Sequence, residues 1–93
     1  MSKKKLEKHI NDFLYAYLEC NDDFNYLDDT DKLYVYSVLK KLLALIYKVL
    51  KYPNIYPILL VQNPKSKQII EKAFEEISSI IPTIKNIKIQ VMN

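Results

Sequence analysis

The feature that most constrains this chain is a long apolar stretch, residues 33–50, which leads through a proline-containing turn into a second apolar run. Its apolar side chains cover more of a helical wheel than the single stripe of a surface helix. We therefore predict a central helix that contacts neighbouring elements on most of its circumference. The remaining face of this helix carries Ser37, Lys40, Lys41, Ala44, Lys48 and Lys51.

Prolines and an asparagine mark the segments that follow the central helix. Pro53 indicates the end of the helix, because the residue before a proline disfavours helical dihedral angles. The apolar run within residues 56–63 predicts a strand. Asn63 and Pro64 then begin another helix, since asparagine is a favoured N-cap and proline suits the first helical position.

Two further segments complete the predicted domain. Residues 4–20 have the apolar spacing of a one-sided helix. Residues 85–92 alternate between polar and apolar side chains, as a half-buried strand does. The helix that begins at Asn63-Pro64 ends before Pro82. We predict one α+β domain over residues 1–93, mainly helical, with three helices around a long central helix and a small sheet. The assigned segments follow the order α-α-β-α-β. The two strands can pair in parallel around a helix, or a hairpin near Ile84 can change the pairing.

Charge is segregated along the chain. Six of the eleven carboxylates lie within residues 19–31, and none of the fourteen lysines does. We predict that residues 21–30 form an acidic loop on an otherwise basic domain. Asp29 or Thr30 is the predicted N-cap of the central helix, where acidic groups also suit the helix dipole.

The composition argues against catalysis and metal binding. The chain contains no glycine, which phosphate-cradling loops and nucleophile elbows require. The lone His9 and Cys20 lack the partners of a metal site or of a Cys–His nucleophile. A calcium-binding EF-hand pattern begun at Asp23 fails, because its glycine and glutamate positions hold Asp28 and Tyr34. We expect a non-enzymatic protein with no cofactor and no metal.

The sequence also suggests a location. A single cysteine fits a reducing compartment, and no apolar signal core follows the basic first residues. Lysines interrupt the longest apolar runs, so we expect no membrane-spanning segment. A cytoplasmic protein is the simplest expectation, and its oligomeric state stays open.

The lysines of the central helix allow two interpretations. Lys40, Lys41, Lys48 and Lys51 form either a solvated helix face or a landing surface for an acidic ligand. Nucleic acid is not the expected ligand, because arginine is absent and no helix carries a dense basic stripe. Weak nucleic-acid binding through the lysines stays a third alternative, which a steep salt dependence would reveal.

From about Tyr17 onward the chain resembles the PUB domain (also called PUG), the adaptor module of peptide:N-glycanase and several ubiquitin-pathway proteins. The segments that carry the resemblance are residues 17–21, 42–54, 73–77 and 87–89, together with Tyr56, Ile58 and Asn63 around the first strand.

This sequence also departs from the PUB pattern. The family's Lys-Tyr-Arg triplet is replaced by residues 55–57, and its Gly-Phe dipeptide by residues 80–82. The helical asparagine that helps to bind the family's ligand corresponds to Lys48. The fold therefore carries over more safely than the binding site.

The resemblance implies peptide capture. PUB domains bind the acidic, aromatic-bearing C-terminal tail of the AAA+ ATPase valosin-containing protein, or similar short motifs. By this resemblance, Lys48 and Lys51 would attract the acidic residues of the peptide. Tyr56 would pack against the aromatic residue of the peptide, and Asn63 would hydrogen-bond its backbone.

A different class of function competes with the adaptor. A small, lysine-rich, glycine-free helical protein is also compatible with a viral or plasmid-borne factor that binds and blocks a folded host protein. Its interface would then be a broad apolar surface around Tyr34, Tyr36 and Tyr47, in place of a peptide groove.

Overall fold

The computed structural model describes residues 2–92. The helices are α1 (Lys3–Glu19), α2 (Asp22–Asn25), α3 (Asp29–Lys51) and α4 (Pro64–Ile80), the strands are β1 (Ile58–Val61) and β2 (Lys88–Val91), and a 3-10 helix covers Pro82–Asn86. The predicted class, a mainly helical α+β fold, is confirmed. Within residues 2–92, no helix combines the length and the apolar character that crossing a membrane requires.

Helix α3 forms the core of the fold. The helices α1 and α4, the strand β1 and the 3-10 helix all pack against it. Leu33, in its first turn, is exposed, whereas the apolar residues that follow it are mostly enclosed. The buried residues of α3 are Val35, Val38, Leu39, Leu42, Leu43, Ile46 and Val49.

The acidic segment contains a helix that the sequence pattern did not predict. Asn21 begins α2, because its side-chain oxygen accepts a hydrogen bond of 2.9 Å from the N–H of Phe24. Phe24 is buried, with its ring edge-on to Tyr36 of α3 at 5.1 Å. The predicted loop over residues 21–30 is therefore partly helical, and the order is α-α-α-β-α-β. A single turn is too short to show a helical period in the sequence.

The predicted N-cap of α3, Asp29 or Thr30, was wrong. The N-cap is Asp28, whose Oδ1 accepts a hydrogen bond of 2.8 Å from the N–H of Asp31. Asp29 and Thr30 are already helical. Several neighbouring acidic residues suit this position chemically, and only the point where the backbone turns distinguishes between them.

The second half of the chain is a β-α-β unit. The strands β1 and β2 pair in parallel, with Ile58 opposite Lys88 and Val61 opposite Val91, and α4 connects them. Asn63 caps α4 and Pro64 is its first residue, as predicted. The parallel alternative is therefore the correct one.

Both strands are shorter than the apolar pattern predicted. Each has four residues in place of the segments 56–63 and 85–92. The residues before β2 form the 3-10 helix, which buries Ile84 and leaves no hairpin there. A backbone ladder extends only as far as both strands run side by side, and a single sequence does not show that overlap.

A hydrogen bond between Tyr47 and α1 should make stability sensitive to alkaline pH. The hydroxyl of Tyr47 donates to the backbone oxygen of Glu7 at 3.0 Å. Burial, with smaller effects of Glu7, Tyr15 and Asp12, raises the pKa of Tyr47 above its ordinary value of 10.0. Because the folded state favours the neutral phenol, this contribution is complete below pH 10.0 and is lost as the pH rises further.

We expect Tyr47→Phe to reduce the free energy of unfolding at neutral pH by about 0.5–1.5 kcal/mol, the usual net contribution of a hydrogen bond. The variant should also lose less stability than the wild type between about pH 9 and about pH 11, because it lacks one shifted phenol. Denaturant unfolding across that range measures both effects. Burial also raises the pKa of Tyr36. The wild type and the variant should therefore both lose some stability at alkaline pH. If the free energy of unfolding falls equally steeply with pH in the two proteins, the assignment of this pH dependence to Tyr47 is wrong.

Candidate functional site

Side chains that bind metals are dispersed on this fold. Within residues 2–92, no group of three or more His, Cys, Asp or Glu residues lies close enough to hold a metal ion. His9 and Cys20 are both exposed on the α1 side of the molecule. Two depressions and a set of exposed apolar side chains are notable features of the surface formed by residues 2–92.

The larger depression lies between α3 and β1, and we call it the α3–β1 groove. Its volume is about 490 Å³. It lies open on the surface, with most of its lining contributed by apolar side chains. The lining residues are Lys41, Ala44, Leu45, Ile58, Leu59, Leu60 and Met92.

The sheet side of this groove exposes apolar side chains. Ile58 is 54% exposed, Leu60 is 50% exposed and Met92 is 48% exposed, whereas Leu59 and Val61 are buried. The alternation follows from the pleat, since successive side chains of a strand point to opposite faces. An outer sheet face is usually polar, and contiguous exposed apolar residues indicate an interaction surface.

The hydrogen bonds of the ladder identify the open edge of β1. The backbone oxygen of Pro57 accepts a hydrogen bond of 3.0 Å from the N–H of Lys88, and that of Val61 accepts one of 2.7 Å from the N–H of Met92, the residue after β2. In a parallel pair, alternate residues of a strand direct both backbone groups to the same neighbour. The odd-numbered residues of β1 therefore face β2, and Ile58 and Leu60 direct their N–H and C=O groups to the opposite edge.

Tyr34 marks the end of this open edge and shows what lies beside it. Its hydroxyl oxygen accepts a hydrogen bond of 2.7 Å from the backbone N–H of Gln62, one residue beyond β1. Tyr34 belongs to the first half of α3. The open edge of β1 therefore runs alongside α3, and the groove lies between them.

One lysine lines the groove, and two others lie on the neighbouring elements. Lys41 lines it, and Lys48 lies one turn beyond Ala44 on the same side of α3. Lys88 is exposed on β2, opposite Ile58. The lining contains no carboxylate, and the surface should attract anionic groups.

The ion pairs of the described chain lie elsewhere. Within residues 2–92, lysine–carboxylate pairs closer than 4 Å are Lys8–Asp12, Lys67–Glu71 and Lys72–Asp23. None of them involves a lysine of the α3–β1 groove. The positive charge of the groove is therefore not neutralised by a neighbouring carboxylate in this part of the chain.

The second depression lies between the start of α1 and the end of α3. Its volume is about 380 Å³, and its lining residues are Lys3, Leu6, Glu7, Tyr47, Leu50 and Lys51. Both signs of charge are present, so an acidic ligand would meet the carboxylate of Glu7 there as well as two lysines. Lys51 faces this second depression, with its Nζ 5.4 Å from the ring centroid of Tyr52.

The four residues of the sequence-predicted site are spread along the molecule. Lys48 is near the α3–β1 groove, and Tyr56 is 74% exposed two residues before β1. Tyr34 and Lys51 are separated by about 25 Å at 1.5 Å per helical residue. Because Gln62 contacts Tyr34, the neighbouring Asn63 lies towards the opposite end of α3 from Lys51.

The side chain of Asn63 has a structural role as the N-cap of α4. Its Oδ1 accepts a hydrogen bond of 2.8 Å from the backbone N–H of Ser66, which caps α4. The side-chain oxygen is thus engaged within the fold.

The tyrosines of the alternative apolar interface also make contacts within the fold. Tyr34 binds the end of β1, and the hydroxyl of Tyr47 binds α1. The ring of Tyr36 stacks on Tyr15 at 5.9 Å and meets Phe24 edge-on. These three side chains are half-buried, so they do not form one open surface.

Sequence reasoning missed the apolar residues of the groove. The run from Ile58 to Val61 contains no polar residue, so its period does not show that Ile58 and Leu60 are exposed. One signal was present in the sequence. Lys41 and Lys48 are seven residues apart, with the small Ala44 between them on the same helix face.

Substitutions at Asn63 separate capping from ligand binding. We expect Asn63→Ala to reduce the free energy of unfolding by about 1 kcal/mol, because the N–H of Ser66 loses its acceptor. Asn63→Ser should keep nearly all of the stability, since serine caps as well as asparagine does. Thermal and denaturant unfolding of both variants test this. Equal losses in the two variants would show that capping is not the role of the side chain.

Comparisons with known proteins leave this chain without an assigned family. No protein-family model matches it, and neither a curated protein nor a solved structure does.

Proposed function

We propose that this protein is a non-enzymatic adaptor module that binds a short acidic peptide carrying apolar side chains. The α3–β1 groove is the binding site in this proposal. The observation that carries it is the combination of an apolar sheet face with Lys41 in a lining that contains no carboxylate, and with the exposed Lys48 farther along the same helix. Apolar contacts supply affinity in such sites, and the charges supply attraction and orientation.

The geometry fits a peptide better than a small molecule. The groove is shallow and open on one side, whereas small-molecule sites enclose most of their ligand. Ile58 and Leu60 of its lining follow the line of β1, and the exposed Tyr56 precedes them along the chain. A linear ligand can contact all three while its acidic groups lie near Lys41 and Lys48.

The PUB resemblance supplies a specific candidate ligand, the acidic tail of valosin-containing protein. In this proposal Lys48 attracts its carboxylates, and Tyr56 packs against its aromatic residue. Lys51 and Asn63 are peripheral to the α3–β1 groove, which makes the mode of binding different from the one that the family pattern implies. Single-peptide sites of this size have modest affinity, because association costs offset much of the contact energy.

A peptide titration followed by backbone amide shifts in a ¹⁵N-labelled sample tests the proposal. The ligand is an acidic peptide that ends in Leu-Tyr-Gly, and the titration is run at two salt concentrations. We expect saturable shifts at Lys41, Lys48 and residues 58–60, with weaker binding at higher salt because ions screen exposed charges. A flat titration on a folded sample would contradict the proposal.

Charge-removing variants provide the matched comparison. We expect Lys41→Gln and Lys48→Gln each to weaken peptide binding about two- to fivefold, the usual range for an exposed ion pair. Lys4→Gln removes one positive charge from an exposed position of α1 outside both depressions, and it should leave affinity nearly unchanged. If Lys4→Gln weakens binding as much as the other two, the effect is one of net charge and the groove is not the site.

A further inference from the structure

We propose that the ligand binds as an added strand on the open edge of β1, as an extended segment whose acidic and apolar residues alternate. This inference rests on the proposed function and specifies how the groove is used. It follows from the backbone of β1, whereas the proposed function follows from the side chains around it.

The open edge offers a short, defined set of backbone groups. Ile58 and Leu60 direct their N–H and C=O groups away from β2, as the alternation of the ladder requires. This row is limited on one side by the start of β1 at Ile58. Tyr34 ends it on the other side by accepting the N–H of Gln62. Four backbone groups thus remain available between two fixed ends.

An unpaired strand edge is a template for another extended chain. Exposed edges are usually protected by charges on the strand itself, by a bulge or by a covering element. Residues 58–61 carry no charge and form a regular ladder with β2. Lys41 lies beside this edge on α3, where it can contact a ligand without disturbing the ladder.

The two sides of the edge differ in chemistry, and this difference specifies the ligand. On the outer face, an added strand continues the apolar surface of Ile58, Leu60 and Met92. On the opposite face, the side chains of the added strand meet α3 at Lys41 and Ala44. Successive side chains of a strand point to opposite faces. A complementary segment therefore alternates apolar residues with aspartate or glutamate.

Charge also favours a peptide over a second copy of this chain. Two copies that paired their β1 edges around a twofold axis would use the same residues on both sides. The Lys41 side chains of the two copies would then approach each other, and like charges in close contact oppose association. An acidic segment places opposite charges at the same positions.

Backbone-methylated peptides give the sharpest test. The parent ligand is acetyl-Asp-Leu-Asp-Leu-Asp-Tyr-amide. One analogue carries N-methyl groups on the apolar residues, and the other carries them on the acidic residues. Both analogues keep every side chain of the parent. In a ladder only alternate residues of the added strand donate to the edge, so exactly one analogue should lose binding.

The identity of the inactive analogue also reports the strand direction. In an antiparallel pair, bonded residues lie directly opposite each other with side chains on the same face. The side chains of Ile58 and Leu60 point outward, so methylation of the apolar residues would then abolish binding. In a parallel pair the donors are the intervening residues, and methylation of the acidic residues would abolish it.

The outcomes separate this inference from the proposed function. Binding of the parent with loss for one analogue alone supports strand addition. If both analogues bind, or if both lose binding equally, strand addition is overturned. The groove would then bind the peptide through side-chain contacts alone. No binding by either the parent or the peptide that ends in Leu-Tyr-Gly overturns the proposed function itself.

Variants of the protein provide an independent measurement. Leu60→Pro removes one edge-facing N–H and leaves the odd-numbered residues of β1 to pair with β2, so parent affinity should fall about tenfold with the fold retained. Leu60→Val keeps the N–H while it also changes the side chain, so it should bind clearly more tightly than Leu60→Pro. If Leu60→Pro does not fold, the methylated peptides decide the question on the wild-type protein.

Sedimentation of the protein without peptide tests the competing occupant. We expect a monomer whose Ile58 and Leu60 amides exchange readily with solvent and become protected when the parent peptide binds. A dimer in which these amides are already protected would overturn the proposal, because the edge would then be occupied by a second copy.

Discussion

Burial of α3 is the constraint on which the rest of this structure depends. The helix supplies more core residues than any other element, and α1, α4, β1 and the 3-10 helix all pack against it. Shortening a side chain such as Leu42 or Ile46 would cost about 2–5 kcal/mol, a large part of the stability of a small domain. The neighbouring elements are therefore placed by their contacts with one helix.

The same constraint accounts for the α3–β1 groove. One side of α3 is apolar and directed inward, while Lys41 and Ala44 remain at the surface beside the edge of β1. In the described residues the sheet has only two strands, so each strand uses half of its backbone groups for the other. An open strand edge and a basic helix face thus become neighbours as a consequence of the fold.

Much of the architecture could be predicted because it depends on local chemistry. The spacing of apolar residues indicated α1, α3 and α4, and the dipeptide Asn63-Pro64 marked a helix start that the structure confirms. The short α2 and the exact cap at Asp28 could not be predicted, because one turn shows no period and several acidic residues suit the cap equally. Of the candidate site, Lys41 and Lys48 were identified as lysines on the exposed face of the central helix. Ile58, Leu60 and Met92 were not, because exposure within an unbroken apolar run depends on which face meets the core.

The sequence by itself determined the three long helices, the approximate places of the two strands, the mainly helical class and the separation of acidic from basic residues, since these follow from side-chain type and spacing. Only the tertiary structure decided which strand edge is open, that it lies beside the lysines of α3, and that Asn63 and Lys51 lie towards opposite ends of the central helix. The physical reason is that a strand edge and a groove are relations between segments distant in the chain. Pairing and packing establish them, and no local pattern records them.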